Sequence, residues 1–299
     1  MKKTKNIVCI GAANIDKQLY LRSELINKSS NPVSSKIVSG GVARNLAYNI
    51  GRLSNQNPIL LTLVGNDKEG NHILKEANKY INLKYTKSLD NINTGMFTSV
   101  INYNGEMMCG FADMDIYDFI SIEYLYERIE IIKCADCVIV DSNIPENSIQ
   151  YLIQLCKSSN VPIAVIPASI EKVKNIPKNL KRIDYLIINK KEAEAFWDIS
   201  LNVKSDYEKI KQISKNSEIK NIIVTNGNND IFYTNGELSI NKNVQQSSNI
   251  INDTGAGDTF SASVLFYWLE NYNVDNYLEK ALNNAFSTVS SVYNMPMNN

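Results

Sequence analysis

Residues 252–260 read NDTGAGDTF, which sets two glycines and an alanine between two acidic residues just before an apolar run. Gly255, Ala256 and Gly257 stand between Asp253 and Asp258, ahead of the apolar run SASVLFYWL at 261–269. That run reads as a buried helix, and NIIND before it reads as the end of a strand. The Gly-Ala-Gly segment is then a strand-to-helix turn whose amides point out of a helix N-terminus. Such a turn holds anionic oxygens, because its N–H groups lack helical partners and the helix dipole favours negative charge. Asp258 is out of place there. A carboxylate beside an anion site repels its ligand, so it implies chemistry or a metal. The alternative is that Asp253 or Asp258 caps the helix and the glycines serve a tight turn.

Other chemistries are easier to exclude. His72 is the only histidine, which rules out a Ser-His-Asp triad and any His-based zinc site. It lies in GNHILKEANKY, expected to be an exposed helix turn. Five cysteines stand at 9, 109, 134, 137 and 156. Cys134 and Cys137 form a CxxC without a second pair, so both read as small core residues. Lysine plus arginine number 31 and aspartate plus glutamate 31, a balance unlike that of a nucleic-acid binder. No apolar run approaches the ~18 residues of a membrane span. The start MKKTKNIVCIG enters a strand without a signal-peptide core. The chain is therefore expected to be soluble and cytoplasmic, with neither nucleic acid nor membrane as a partner.

The elements that must position Asp258 can be read from the apolar pattern. Short runs such as IVCIGA, ILLTLVG, CVIVD, PIAVIPA, YLIIN and NIIVTNG alternate with helix-period segments such as ARNLAYNIGRLS, SIQYLIQLCKSS and KKEAEAFWDI. This is the pattern of an α/β fold with a mostly parallel sheet covered on both faces. Ligands in such sheets gather beyond the carboxyl ends of the strands. Polar residues at those ends include Asn14, Asp16, Asp67, Asp141, Asn143, Ser169, Asn189, Glu192 and Thr225. Two β-rich stretches, 15–38 and 94–112, interrupt the alternation, the second with a turn at Asn104-Gly105. They form either a small projecting sheet that covers a ligand as a lid, or two ordinary surface hairpins. No repeat or linker divides the chain, so residues 1–299 read as a single domain.

GAANID at 11–16, SGGVARN at 39–45, LVGNDKEG at 63–70, NKKEAE at 189–194 and NDTGAGDTF at 252–260 occur in one order. In that order they resemble the ribokinase-like (PfkB) carbohydrate and nucleoside kinases, over essentially the whole chain. The resemblance implies a three-layer α/β/α domain with a small β-sheet lid, ATP as phosphoryl donor and Mg²⁺ as its companion. It makes Asp258 the base for the acceptor hydroxyl, and the amides of Gly255, Ala256 and Gly257 the anion hole. Asn14 and Asp16 match the pair that binds the sugar diol. Gly40 and Gly41 let backbone approach the sugar, and Asn45 hydrogen-bonds it. Asn189 and Glu192 match the Asn-x-x-Glu that orders Mg²⁺ waters and phosphates, with Glu192 alternatively a solvated charge. Thr225 and Gly227 match the Thr-x-Gly beside the nucleotide.

Within the family, GGVARN, ADM at 112–114, DSNIP at 141–145 and PASIEK at 167–172 are most similar to the branch that phosphorylates pseudouridine on its 5′-hydroxyl. Ala168 departs from that branch's pattern. The same segments imply that Asp113, Asn143, Ser169 and Lys172 meet the substrate, with Ser169 or Asp113 as acceptor for the base edge. Ribose, another sugar or another nucleoside are alternative acceptors. A non-catalytic nucleoside-binding regulator is a further alternative. Asn252 and Asp253 stand where many relatives carry Asp-Thr, which removes one ligand charge from a potassium site and leaves K⁺ open as a cofactor. Asn228-Asn229-Asp230 departs from the glycine-rich pattern after Gly227. Relatives pair through their projecting sheets, so a homodimer through the lid is expected.

Overall fold

In the strand Ile7–Ile10, Val8 and Ile10 enter one apolar core while Ile7 and Cys9 enter another. Successive side chains of a strand point to opposite faces, so a strand apolar at every position belongs to a sheet buried on both sides. The computed structural model describes residues 5–54, 56–245 and 255–289 and has this layered form. Its main sheet runs in the order Ser239–Asn243, Asp230–Thr234, Ile222–Thr225, Tyr185–Asn189, Ile163–Ile166, Cys137–Asp141, Ile7–Ile10, Ile59–Leu61. Pairing is parallel from Ile222–Thr225 to Ile59–Leu61, and antiparallel across the two strands beyond Ile222–Thr225.

The helices divide between the two faces as their apolar stripes require. Leu46 and Ile50 of Val42–Ser54, Ile73 of Lys68–Ala77, Val264 and Leu265 of Ala256–Leu269, and Leu278 of Val274–Val289 fill one core. Ile149 and Leu152 of Glu146–Ser158, Phe196 of Lys190–Trp197 and Ile210 of Tyr207–Ser217 fill the other. Leu46 with Ile50 and Ile149 with Leu152 have the i, i+4 and i, i+3 spacing of a helix with one buried side, whereas Thr259–Leu265 of Ala256–Leu269 are buried at every position.

The two β-rich stretches join into one small sheet. Its order is Val33–Gly40, Asn14–Leu21, Met96–Ile101, Met107–Asp113, with the two middle strands parallel. Gly105 takes a left-handed φ of 87° in the turn at Asn104-Gly105.

Two expectations change. ILLTLVG, read as one strand, is two: Ile59–Leu61 joins the main sheet and Leu63–Gly65 pairs with Lys87–Leu89. The break falls at buried Thr62, whose carbonyl accepts from the Lys87 N–H and the Tyr124 hydroxyl. Of the CxxC pair, Cys137 is buried in the sheet but Cys134 is exposed, since it caps the end of the helix Ile129–Lys133. His72 is exposed on its helix as expected. No helix among the described residues is long and apolar enough to cross a membrane.

The carboxyl ends of the parallel strands are tied together by Asp141, which is fully buried. Its Oδ2 accepts from the N–H groups of Ala12 and Ala43, both at 2.9 Å, and its Oδ1 from the N–H of Asn143 at 2.8 Å. Burial pushes its pKa up, and the three amides pull it back. Asn has only one acceptor oxygen and would aim an NH₂ at an amide N–H. Asp141→Asn should therefore lower folding stability by about 1–3 kcal/mol, the cost of a buried polar group left unpaired. Urea denaturation measures this, and an unchanged midpoint would remove Asp141 from the role.

Candidate active site

The helix Ala256–Leu269 starts earlier than its apolar run suggests. Gly255 is its N-cap, in a left-handed conformation with φ 85°, and contributes no side-chain cap. The first helical bond runs from Thr259 N–H to the Gly255 carbonyl at 2.9 Å. Ala256 and Gly257 are thus helical rather than a turn before the helix, and the Asp258 amide joins theirs in the first turn. These amides have no acceptor within the helix. A Cβ built on Gly257 meets no atom within 4 Å, so the space above this first turn is open. Asn252, Asp253 and the expected strand ending NIIND lie outside the described residues, as does any potassium site built on them.

Asp258 does not cap the helix. Its Oδ2 accepts from Asn45 Nδ2 at 2.8 Å, across 213 residues of sequence. Burial is the largest effect on its pKa, which rises to about 7. The Asn45 hydrogen bond and the charge of Arg44 lower it, while the charges of Asp16 and Asp141 raise it. A carboxylate so placed is a base matched to neutral pH.

Asp16 lies in the small sheet, and Asn14, two residues earlier on the same face, donates to its Oδ1 at 2.7 Å. Burial raises the Asp16 pKa to about 6 against the lowering effects of Asn14 and Arg44. Gly40 sits opposite: a Cβ there would be 2.3 Å from Asp16 Oδ2. Only glycine lets the backbone come this close to the carboxylate. Gly41, with φ 94°, leads into the helix Val42–Ser54 that presents Asn45.

On the other side of Asp258, a cleft of about 270 Å³ is lined by Asn189, Glu192, Thr225, Gly255, Gly257 and Asp258. Asn189 and Glu192 form a capping box. Asn189 Oδ1 accepts from Glu192 N–H at 2.9 Å, and Glu192 Oε2 accepts from Asn189 N–H at 3.0 Å. Their spacing thus has a structural reason. Glu192 is nevertheless no solvated charge, being 5% exposed. Burial first, and the Asp258 charge to a lesser extent, raise its pKa to about 7 against the Asn189 hydrogen bonds.

Among the described residues no three His, Cys, Asp or Glu side chains converge into a metal cage. Glu192, a buried carboxylate lining the cleft, fits a hard cation that keeps most of its waters, as Mg²⁺ does.

The remaining predicted residues lie at varying removes. Asn143 is buried beside Asp141. Ser169 is exposed and its Oγ accepts from the N–H of Lys172 at 3.1 Å, the first residue of the short helix Lys172–Asn175. Gly227 occupies a left-handed turn after Thr225, with open space where a side chain would be. Asp113 is not brought to the cleft. It pairs with Met96, and Met96 with Ile15, so strand alternation places it on the sheet face opposite Asp16, lining a cavity with Asp67 and Glu69.

Sequence reasoning missed Tyr117 as a site-builder. Fully buried, its hydroxyl donates to the Ala13 carbonyl at 2.6 Å and accepts from the Ala13 N–H at 3.1 Å, bracing the backbone just before Asn14. Nothing in ADMDIYDF signals this. It also left Arg44 without a role, although GGVARN contains it.

The pattern of the pfkB family carbohydrate kinases matches residues 4–296. The pseudouridine kinase of Escherichia coli K12 is 30% identical over 271 residues, covering 90% of this chain and 86% of that protein. The guanosine-inosine kinase of Exiguobacterium acetylicum is 21% identical over 290 residues, 96% of this chain and 95% of that protein. The solved structure of Arabidopsis thaliana ribokinase, complexed with ribose and ATP, has a TM-score of 0.83 at 19% identity, covering 98% of this chain and 96% of that one. Its fold is the one described above.

A carboxylate with a folded pKa above its unfolded value holds its proton more tightly when folded. Its contribution to stability is therefore favourable at low pH and is lost as pH rises from the unfolded value of about 3.9 to the folded value of about 7. Asp258→Asn, which cannot ionise, should be more stable than the parent at about pH 8 and gain little at about pH 4.5. Urea midpoints at the two pH values check this; an equal gain at both would place the Asp258 pKa in the ordinary range.

Proposed function

The chain belongs to the pfkB family of carbohydrate kinases, phosphotransferases that act on an alcohol group, and from that premise we propose that it phosphorylates the 5′-hydroxyl of pseudouridine with ATP. The observation that carries the reaction is Asp258 in the first turn of the helix Ala256–Leu269, held by Asn45 and lining one cleft with Gly255 and Gly257. Asp258 takes the proton of the attacking hydroxyl as its oxygen bonds to the γ-phosphorus and the bond from phosphorus to the ADP oxygen breaks. The amides of Ala256, Gly257 and Asp258 hold the phosphoryl oxygens while charge is redistributed among them. Asn14 and Asp16 hold the ribose hydroxyls beside the Gly40 backbone, and Thr225 and Gly227 lie toward the nucleotide. Glu192 and Asn189 would hold Mg²⁺ through its waters, and that ion would supply charge neutralisation between the phosphates. The small sheet that carries Asp16 closes over the acceptor and keeps out water that would compete for the phosphoryl group.

Pseudouridine as the acceptor is supported by the segments GGVARN, DSNIP and PASIEK and by the E. coli relative. Pseudouridine differs from uridine in presenting an extra base N–H, so discrimination needs an acceptor at that edge. Ser169 can serve: its hydroxyl has a second lone pair beyond the one that accepts from Lys172 N–H. Lys172 only donates and would hold a carbonyl that both nucleosides possess.

ADP release measured with pseudouridine, uridine, ribose, adenosine and fructose tests the acceptor. Pseudouridine should be preferred, and Ser169→Ala should erode its advantage over uridine by about 1–3 kcal/mol in kcat/KM. Equal rates on pseudouridine and uridine would leave the kinase and overturn the acceptor. Asp258→Asn should lower kcat by about two to four orders of magnitude with little change in acceptor KM. Retention of half the turnover would overturn the base.

The face of the small sheet opposite Asp16 carries a cross-strand row of Ile37, Lys17, Thr98 and Phe111, with Ile37 58% and Phe111 62% exposed. This supports pairing of two copies through their small sheets. Sedimentation should give a dimer that Phe111→Glu dissociates; a monomeric parent would rule the pairing out.

A further inference from the structure

Arg44 is the one charged residue of the SGGVARN segment, and phosphoryl transfer as described gives it no task. Its side chain is 3% exposed. Nη1 donates to the Ser39 carbonyl at 3.3 Å and to Asn45 Oδ1 at 3.1 Å. Nη2 lies 3.5 Å from Glu76 Oε2, and the guanidinium carbon lies 4.7 Å from the centre of the Tyr48 ring. Nε is buried with no hydrogen-bond partner. A buried guanidinium with an unmatched N–H costs stability that an apolar side chain of similar length would not. A packing role alone does not account for arginine here.

The amide of Asn45 lies between two groups of opposite character. A guanidinium can only donate and a carboxylate can only accept, so one orientation of the amide satisfies both. Oδ1 must face Arg44, and Nδ2 must face Asp258 Oδ2, as observed. With Arg44 gone, only Asp258 selects the amide orientation, and a protonated Asp258 can then donate to Oδ1 in a turned amide, which favours the uncharged carboxyl.

We infer that Arg44 is a positioning residue which, through the Asn45 amide, fixes the orientation of the Asp258 carboxylate and holds it in its ionised form. The inference rests on Asp258 being the base. The charged groups facing Asp258 come from four elements: Asp16 on the strand Asn14–Leu21, Asp141 on Cys137–Asp141, Arg44 on the helix Val42–Ser54 and Glu192 on Lys190–Trp197. Arg44 is the cation of this set. Glu76, on the helix Lys68–Ala77, draws on the same cation from the far side and also accepts from Ser39 Oγ.

The test is kcat against pH for the parent, Arg44→Met and Glu76→Gln, with thermal unfolding of each. Removing a cation near a carboxylate raises its pKa, so the acid limb of Arg44→Met should move up by about one pH unit. Its kcat should be about fivefold below the parent near pH 7 and approach it near pH 9, with acceptor KM changed less than about threefold. Glu76→Gln leaves Arg44 in place and removes a negative charge, so its limb should move down, by a few tenths of a unit. If Arg44→Met fails to fold, the downward shift in Glu76→Gln decides the matter. A loss in Arg44→Met that is equal at every pH, or an unmoved limb in Glu76→Gln, would reduce Arg44 to a structural anchor. Failure of the base assignment has a separate signature, since Asp258→Asn would then keep its turnover whatever the Arg44 variants do.

Discussion

Three amide N–H groups converge on the buried carboxylate of Asp141, and the active cleft is assembled around that point. Ala12 belongs to the turn after the first strand, Ala43 to the first turn of the helix that carries Arg44 and Asn45, and Asn143 to the loop after Asp141's own strand. One side chain thus sets the relative position of three segments far apart in sequence. The approach is close: a Cβ on Gly11 would lie 2.3 Å from Asp141 Cγ. Tyr117 braces Ala13, the residue after Ala12, through both its N–H and its carbonyl. Asn14 and Asp16 then leave the sheet in a direction already determined.

The same arrangement explains why the site is costly to fold and suited to its task. The charges of Asp16 and Asp141 raise the Asp258 pKa, and the charge of Asp258 raises that of Glu192. Packing carboxylates together in a partly dry cleft opposes folding, and Arg44 relieves the repulsion only in part. Burial above all, joined at Asp258 and Glu192 by the charge of neighbouring carboxylates, puts Asp16 at about 6 and Asp258 and Glu192 at about 7, ready to accept a proton or to meet a cation. Such sites are where stability is surrendered to function.

Some of the site's parts have two uses at once. Asn189 and Glu192 stabilise a helix start through their capping box and also present a buried carboxylate to the cleft. Asn45 accepts from Arg44 and donates to Asp258. Residues used twice are hard to assign from spacing, since a structural reason and a chemical one predict the same pattern.

Period and motif made much of this protein legible in its sequence. The all-apolar strands required a sheet covered on both faces, the strand ends named Asn189 and Thr225, and the Gly-Ala-Gly-Asp segment marked a helix start with an acid in it. These are local properties, set by which backbone and burial each residue type tolerates. Long-range proximity was not legible. Nothing in the spacing brings Asn45 to Asp258, selects Asp141 from the strand-end acids as the buried tie, or turns Asp113 to the face of its sheet away from Asp16. Nor does it show that Glu192, after two lysines, is shielded from water. Register, crossover geometry and burial decide such things, because they depend on how elements pack against one another and not on the residues within any one of them.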